Sequence, residues 1–343
     1  MKIIDLFSGI GGFSLGFQRA GYQFTEHYFS EIDKHAIANY KYNFPHDKYI
    51  GDITSIHGGD FTDIDIITFG SPCQDFSLAG RREGLKGTKS SLIAHAIALI
   101  AQLRPGIFIW ENVKGAFSSN ARADFWAIIQ AFANIGGYRL EWQLLNTSWL
   151  LPQNRERIYL IGHLGGKSIP GVFPIGKDDK LLDRKAREKG WRGRNFKTSL
   201  ARTITARYSK MGSYDTYIVP KVAATLTGGG HSGGLHSDMT VIQINPSTES
   251  NGRQPYQQNR IFDEKGISPA LTRHNSNYAI SRMRRLTEIE CERLQGFPDN
   301  WTQYGDYNGT IKPIAKTQRY KLIGNAVTVD IVEFIAKKIK ISK

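Results

Sequence analysis

The sequence predicts an α/β protein: a doubly wound, mostly parallel sheet with a second, smaller, irregular domain. Three observations carry this. Short apolar, β-rich runs alternate with helical runs through about residue 165. Near Gly162 the alternation gives way to a stretch rich in Gly, Ser, Thr and Arg. Helical patterning returns after about residue 282. A βαβα succession is the signature of a parallel sheet with helices on its faces, and 343 residues suffice for two domains. The expected division is 1–165 with 282–343 for the first domain and 166–281 for the second.

The elements follow in order. Lys2 to Phe7 reads as a strand, and Phe13 to Ala20 as a helix stopped by Gly21. Gln23 to Phe29 is a second strand, and Lys34 to Tyr42 a helix ending before Pro45. Ile64 to Phe69 is a continuous apolar run, as expected of a strand buried on both faces. Leu92 to Leu103 is a helix closed by Arg104-Pro105. Ile107 to Trp110 is a strand, followed by a helix from about Ala123 to Asn134. Leu140 to Leu145 and Arg157 to Ile161 complete the strands of this part, and Thr287 to Leu294 and Val329 to Ile339 are helices. Within the irregular region, Ala201–Thr205, Ala223–Thr227 and Ser268–Thr272 echo one another as short strands leading into polar loops.

Charge narrows the partners. Lys and Arg number 45 against 31 Asp and Glu, a net charge of +14, which favours a polyanion and nucleic acid first. Segment 181–220 concentrates it, with ten basic residues against three acidic. Trp191, Phe196, Tyr208, Tyr214 and Tyr217 are interleaved there, a composition suited to tracking a phosphate backbone. Two cysteines build no disulfide framework, so a reducing compartment is expected. The first apolar run is too short for a signal peptide and no stretch has the length of a membrane span, so a cytoplasmic protein without membrane contact is expected. The nine histidines are scattered and no metal-ligand spacing is visible, so no metal is expected.

Reactive groups sit where strands end. Pro72-Cys73-Gln74 follows the Ile64–Phe69 strand, at the exit where open α/β sheets place their chemistry. A thiol, once ionised, is the strongest ready nucleophile among side chains. Asp5 to Gly12 is a strand running into a turn with Gly9, Gly11 and Gly12, then a helix whose N-terminus favours an anionic group. The dinucleotide pattern G-x-G-x-x-G is incomplete, because Ser14 stands at its last position, so a nucleoside ligand is preferred to NAD. Glu31, at the end of the second strand, is placed to accept hydrogen bonds from ribose hydroxyls. Asp52 is a candidate partner for an adenine amino group.

These motifs, in order, resemble those of the C5-cytosine DNA methyltransferases. They are Asp5-Leu6-Phe7-Ser8-Gly9-Ile10-Gly11-Gly12, Ser71-Pro72-Cys73-Gln74, Glu111-Asn112-Val113, Gln153-Asn154-Arg155-Glu156-Arg157, Arg284-Arg285-Leu286-Thr287, Arg293 to Pro298, and Gly324-Asn325-Ala326-Val327. The resemblance covers 1–165 and 282–343; the segment between matches in placement alone, where that family keeps its target-recognition region. It implies S-adenosylmethionine as cofactor and double-stranded DNA as substrate, with the cytosine flipped out of the helix. Cys73 would attack C6 of the base. Glu111 would hold N3 and share its proton. Arg155 and Arg157 would fix the base O2, the carboxylate or a phosphate, and Gln74 and Asn112 would complete the catalytic set. Phe7, Gly9, Gly11, Gly12, Glu31, Ile32, Asp52, Ile53, Gly70, Pro72, Leu92, Asn325 and Ala326 would line the cofactor pocket.

For DNA contact the candidates are Arg192 and Arg194 on phosphates, and Arg273 and Asn275 on base edges. The glycine-rich loop Gly228–Gly234 is a further candidate for groove contact. The expected form is a monomer, acting alone or beside a cognate restriction endonuclease that reads the same sequence without a stable complex. Ser71 departs from the proline or phenylalanine many members carry. Leu150-Leu151 stands where a glycine is common, and Ala79 where some relatives have serine. Two alternatives stand beside this reading: a tRNA cytosine-5 methyltransferase and a non-catalytic DNA-binding relative.

Overall fold

The structure, a computed structural model, describes residues 1–71, 91–114, 121–176, 217–218 and 284–341. The chain divides into two compact units, Met1–Ser213 with Glu288–Lys343, and Tyr214–Thr287. In the second unit the described strands are β9 (Tyr217–Ile218) and β10 (Arg284–Arg285), paired antiparallel. The remainder of the basic segment, the three echoed strands and the glycine-rich loop lie outside the described residues.

The first unit is built on a seven-stranded sheet. Its strands are β1 (Lys2–Leu6), β2 (Glu26–Ser30), β3 (Lys48–Tyr49), β4 (Ile66–Gly70), β5 (Ile107–Val113), β6 (Tyr138–Asn146) and β7 (Glu156–Leu164). They lie in the order β3-β2-β1-β4-β5-β7-β6. Among them β7 alone is reversed with respect to the other six. The central strands alternate between two cores, one on each face. Ile3, Ile66, Ile107 and Ile109 face one way, with α1 (Gly12–Arg19) and the last helix, α7 (Val329–Lys338). Ile4, Ile67, Phe108 and Trp110 face the other, with α3 (Ser91–Leu103) and α4 (Ala121–Asn134). Burial on both faces is why these strands read as unbroken apolar runs.

Helix α2 (Lys34–Asn43) starts at Asp33, whose carboxylate accepts the amides of His35 and Ala36. That is the side-chain cap such a residue supplies. The two ends of the chain meet where α1 packs on α7. A Cβ on Gly16 would lie 2.5 Å from Val332 Cγ1, so any larger residue would force the helices apart. Arg19 Nη1 donates to the Gly296 carbonyl at 2.7 Å and lies 3.4 Å from the buried Asp330 carboxylate.

Several elements differ from the sequence expectation. The second strand begins at Glu26 rather than Gln23, because Phe24 packs edge-on against Phe17 instead of extending the strand. Strand β5 continues past Trp110 to Val113, because β7 pairs with residues 111–113. Glu111 therefore lies within a strand, not after it. A hairpin of β11 (Tyr304–Tyr307) and β12 (Thr310–Pro313), and helix α6 (Lys316–Asn325), were not expected. Short strands β8 (Ser168–Ile169) and β13 (Lys340–Ile341) also pair, and α5 (Glu288–Leu294) is the helix expected there.

Candidate active site

The candidate residues converge on one edge of the sheet. The parallel strands β1, β2, β4 and β5 present their C-terminal ends there, carrying Phe7, Glu31, Gly70 and Glu111 respectively. Strand β1 pairs with both β2 and β4, so the crevice of the doubly wound fold opens at its end. Because β7 is reversed, its beginning reaches the same edge, and Arg157 sits opposite Val113.

After β1 the chain turns sharply. Phe7 and Gly9 both adopt left-handed backbone, at φ 50 and 55, a conformation costly for a phenylalanine. No described atom lies within 4 Å of the position a Cβ on Gly9 would take, so its backbone is bare on that side. Gly11 and Gly12 serve packing instead: a Cβ there would meet Phe44 at 2.4 Å and Val327 at 2.6 Å. Protein atoms, rather than a ligand, exclude larger residues at these two positions. Glu31 braces the turn. Its Oε2 accepts the Gly9 amide at 2.9 Å, while Oε1 accepts the amides of Ile32 and Asp33. A carboxylate offers about four lone-pair sites, so one on Oε2 stays open.

Ser14, which breaks the dinucleotide pattern, has a different task. Its hydroxyl donates to Asp5 Oδ2 at 3.0 Å and lies 2.6 Å from the Tyr40 hydroxyl. Thr68 donates to the other Asp5 oxygen at 2.9 Å. Asp5 has no exposed surface, and burial pushes its carboxyl up to about 8, against the pull of Thr68 and Ser14. The sequence offered one signal for this network, a carboxylate inside an apolar strand.

The other side of the edge is a set of interlocked side chains. Glu111 is buried, and its carboxylate lies 3.1 Å from Arg157 Nε. Burial pushes the Glu111 carboxyl above the ordinary range, opposed by the charges of Arg157 and Arg155. A Cβ on Gly70 would lie 3.1 Å from Glu111 Oε2, so glycine leaves the carboxylate its space. Arg155 is buried and turns elsewhere: Nη2 donates to the Ala326 carbonyl at 2.8 Å, with Gly324 at 3.4 Å. Sequence spacing alone puts Arg155 and Arg157 on one face; their partners differ. Asn112 donates to the Ser71 carbonyl at 3.1 Å and to its hydroxyl at 3.0 Å, and thereby holds the peptide that leads to Pro72. Pro72, Cys73 and Gln74 lie outside the described residues.

Residues 1–341 match the family described as C-5 cytosine-specific DNA methylase. The chain belongs to that family. The methylase is 31% identical to the type II methyltransferase M1.ScrFI of Lactococcus lactis subsp. cremoris, over 98% of this chain and 77% of that one. It is equally similar, at 31%, to the type II methyltransferase M.HaeII of Haemophilus aegyptius, over 98% and 91%. An orphan methyltransferase of Bacillus phage SPR, M.SPRI, is 26% identical over 99% and 97%. Among solved structures, the S. pombe Dnmt2 methyltransferase shares the fold at a TM-score of 0.60, with 18% identity over 97% and 96%.

The remaining expected residues of the methylase are placed as follows. Ile32 is 72% exposed at the end of β2, an apolar side chain bare to solvent. Asp52 is exposed and caps a short helical turn through the Thr54 amide. Ile53 is buried in the core, and Leu92 packs at the margin of that core. Asn325, exposed, ends α6, and Ala326 caps it. Arg192, Arg194, Arg273 and Asn275 lie outside the described residues, as does Ala79. Among the described residues no group of His, Cys, Asp and Glu is arranged to hold a metal, and no helix is long and apolar enough to cross a membrane.

Proposed function

We propose that this methylase transfers a methyl group from S-adenosylmethionine to C5 of a cytosine in duplex DNA. The observation that carries the reading is Glu111. It is a buried carboxyl raised by its surroundings and paired to Arg157, on the strand beside the one that leads into Cys73. A buried carboxyl whose hold on a proton is strengthened is suited to donate to a ring nitrogen and take the proton back.

The cofactor residues fit the group. Bare backbone at Gly9 admits a close ligand, and the open site on Glu31 Oε2 suits a ribose hydroxyl. The exposed Ile32 suits the face of an adenine, and Asp52 keeps a free oxygen for the amino group. When bound, S-adenosylmethionine supplies a methyl group on an electron-poor sulfonium. On the protein side, the Cys73 thiolate adds to C6 of the base while Glu111 protonates N3. That turns C5 into a nucleophilic enamine carbon. Arg157 orients the Glu111 carboxyl. After methylation, loss of the C5 proton and elimination of the thiolate restore the aromatic ring. The base has to leave the helix for this, since its C6 is unreachable in the stack.

We assign DNA reading to 166–281, with Arg192 and Arg194 on phosphates and Arg273 and Asn275 on base edges, on the strength of charge and composition. The names of the type II relatives support a role in restriction–modification, and the phage orphan supports a solitary one. Transfer of labelled methyl from S-adenosylmethionine should occur on duplex DNA and not on tRNA. Cys73→Ser should abolish it while cofactor affinity stays near wild type, because a hydroxyl is scarcely ionised at neutral pH. Labelling of tRNA alone, or an active Cys73→Ser protein, would overturn this reading.

A further inference from the structure

Ser71 is the last described residue before Pro72 and Cys73, and its surroundings are specific to its hydroxyl. It is 6% exposed. Its Oγ accepts the Trp110 indole N–H at 3.0 Å and an Asn112 amide N–H at 3.0 Å. Its carbonyl takes a further Asn112 N–H at 3.1 Å. Trp110 has no exposed surface and packs against Phe125 and Phe132 of α4. Asn112 is fixed in turn by the Val113 amide, which donates to its Oδ1 at 2.7 Å. Both donors flank Glu111 on β5.

We propose that the Ser71 hydroxyl is a positioning residue for methyl transfer, clamping the approach to Cys73 onto the strand that carries Glu111. The proposal rests on the reading of Cys73 as nucleophile. Its logic is the short lever between clamp and thiol. The clamped Ser71 carbonyl belongs to the peptide joining Ser71 to Pro72. A proline holds φ at about −65°. By covalent connectivity alone, the backbone torsions left between that plane and the Cys73 Cβ are ψ at 72 and φ at 73. Fixing the plane from β5 narrows the positions open to the thiol relative to the Glu111 carboxyl, and reacting groups lose rate steeply when misplaced. A proline or phenylalanine at 71 has no hydroxyl to accept from Trp110, so the indole N–H and Ser71 form a matched pair in this chain.

The test combines Ser71→Ala, Trp110→Phe and the double variant, in full-length protein with S-adenosylmethionine and duplex DNA. Two rates are read: single-turnover methyl transfer, and covalent capture on DNA carrying 5-fluorocytosine. Ser71→Ala should slow both roughly tenfold, a loss in the range expected when reacting groups are slightly misplaced. The apparent KM for DNA and the cofactor affinity should stay within about twofold, a split that a general loss of folding does not give. Ser71→Ala should cost less in the Trp110→Phe background than in the wild type, because the two residues share one bond while the Asn112 bond to the hydroxyl is lost in either case. Ser71→Thr, which keeps the hydroxyl, should recover most of the rate. Capture by Ser71→Ala at the wild-type rate, or additive effects in the double variant, would overturn the proposal. Failure of the wild-type protein to form any adduct would instead overturn the cysteine reading, and the proposal with it.

Discussion

On the β1–β2 side of the site the contacts span fewer residues and are donated by backbone amides. Gly9, Ile32 and Asp33 offer amides to Glu31 across separations of 22, 1 and 2 residues. On the β4–β5–β7 side they are long-range and made by side chains. Asn112 reaches back 41 residues to Ser71, and Arg155 reaches forward 171 to Ala326. The contrast suits the two tasks proposed for the site. A surface that receives a ligand needs bare backbone and one well-placed carboxylate. A surface that moves protons needs buried groups whose charges hold one another in place. Damage to the first should be graded, and damage to the second steep.

The steepest loss is expected at Glu111. Glu111→Gln keeps the shape and a donor but releases no proton, and should lower kcat roughly a hundredfold to ten-thousandfold. The KM for DNA should hardly move, and pre-steady-state kinetics would show this. An equal loss in KM would mean that Glu111 binds rather than catalyses, and the contrast between the two sides would blur.

A moderate loss is expected at Glu31. Glu31→Ala removes the open acceptor and the brace on Gly9 together. S-adenosylmethionine should bind more weakly by about 1.5–3 kcal/mol, the range for hydrogen bonds to a charged group. Calorimetry with unchanged affinity would remove Glu31 from the cofactor site.

Most of the β1–β2 side was legible because its logic is local. Asp5 to Gly12 and Glu31 follow strands that the apolar pattern reveals. The β4–β5–β7 side was legible as motifs but not as partners. Nothing in the spacing of Arg155 and Arg157 says that Arg157 meets Glu111 and Arg155 the Ala326 carbonyl just after α6. That depends on the reversal of β7, a property of the whole sheet. Helix α6 went unseen because its sequence is polar, with Leu322 and Ile323 its buried apolar residues. The β11–β12 hairpin did carry a signal: Asn308-Gly309, at φ 55 and 85, is the pair that two-residue turns favour. The second cysteine, Cys291, is buried in α5 with its thiol pushed up by burial, and so is inert.

An effect on stability rather than on activity concerns Asp5 beneath the glycine turn. Its carboxyl rises from 3.8 to about 8 on folding, so across that window the folded state keeps a proton that the unfolded chain has released. Stability contributed by this group is complete below about pH 4 and is lost as pH rises toward 8, by at most about 1.4 kcal/mol per pH unit. Asp5→Asn should remove that slope while still bonding Thr68 and Ser14. Asp47, raised to about 6, and His27, lowered to about 4, belong to the same network and act in both proteins. Urea unfolding of the two proteins from pH 5 to 8 should therefore give curves that diverge, with the variant favoured at high pH. Parallel curves would mean that Asp5 is ionised in the fold.

The central claim, methylation of cytosine at C5 in a chosen DNA sequence, is tested most directly by bisulfite sequencing of DNA from cells expressing the chain. Cytosines methylated at C5 resist conversion. The account predicts protected cytosines at one position of one recurring word, and none in cells expressing Cys73→Ser. Complete conversion in cells expressing the wild-type protein, or the same protected word with Cys73→Ser, would contradict it.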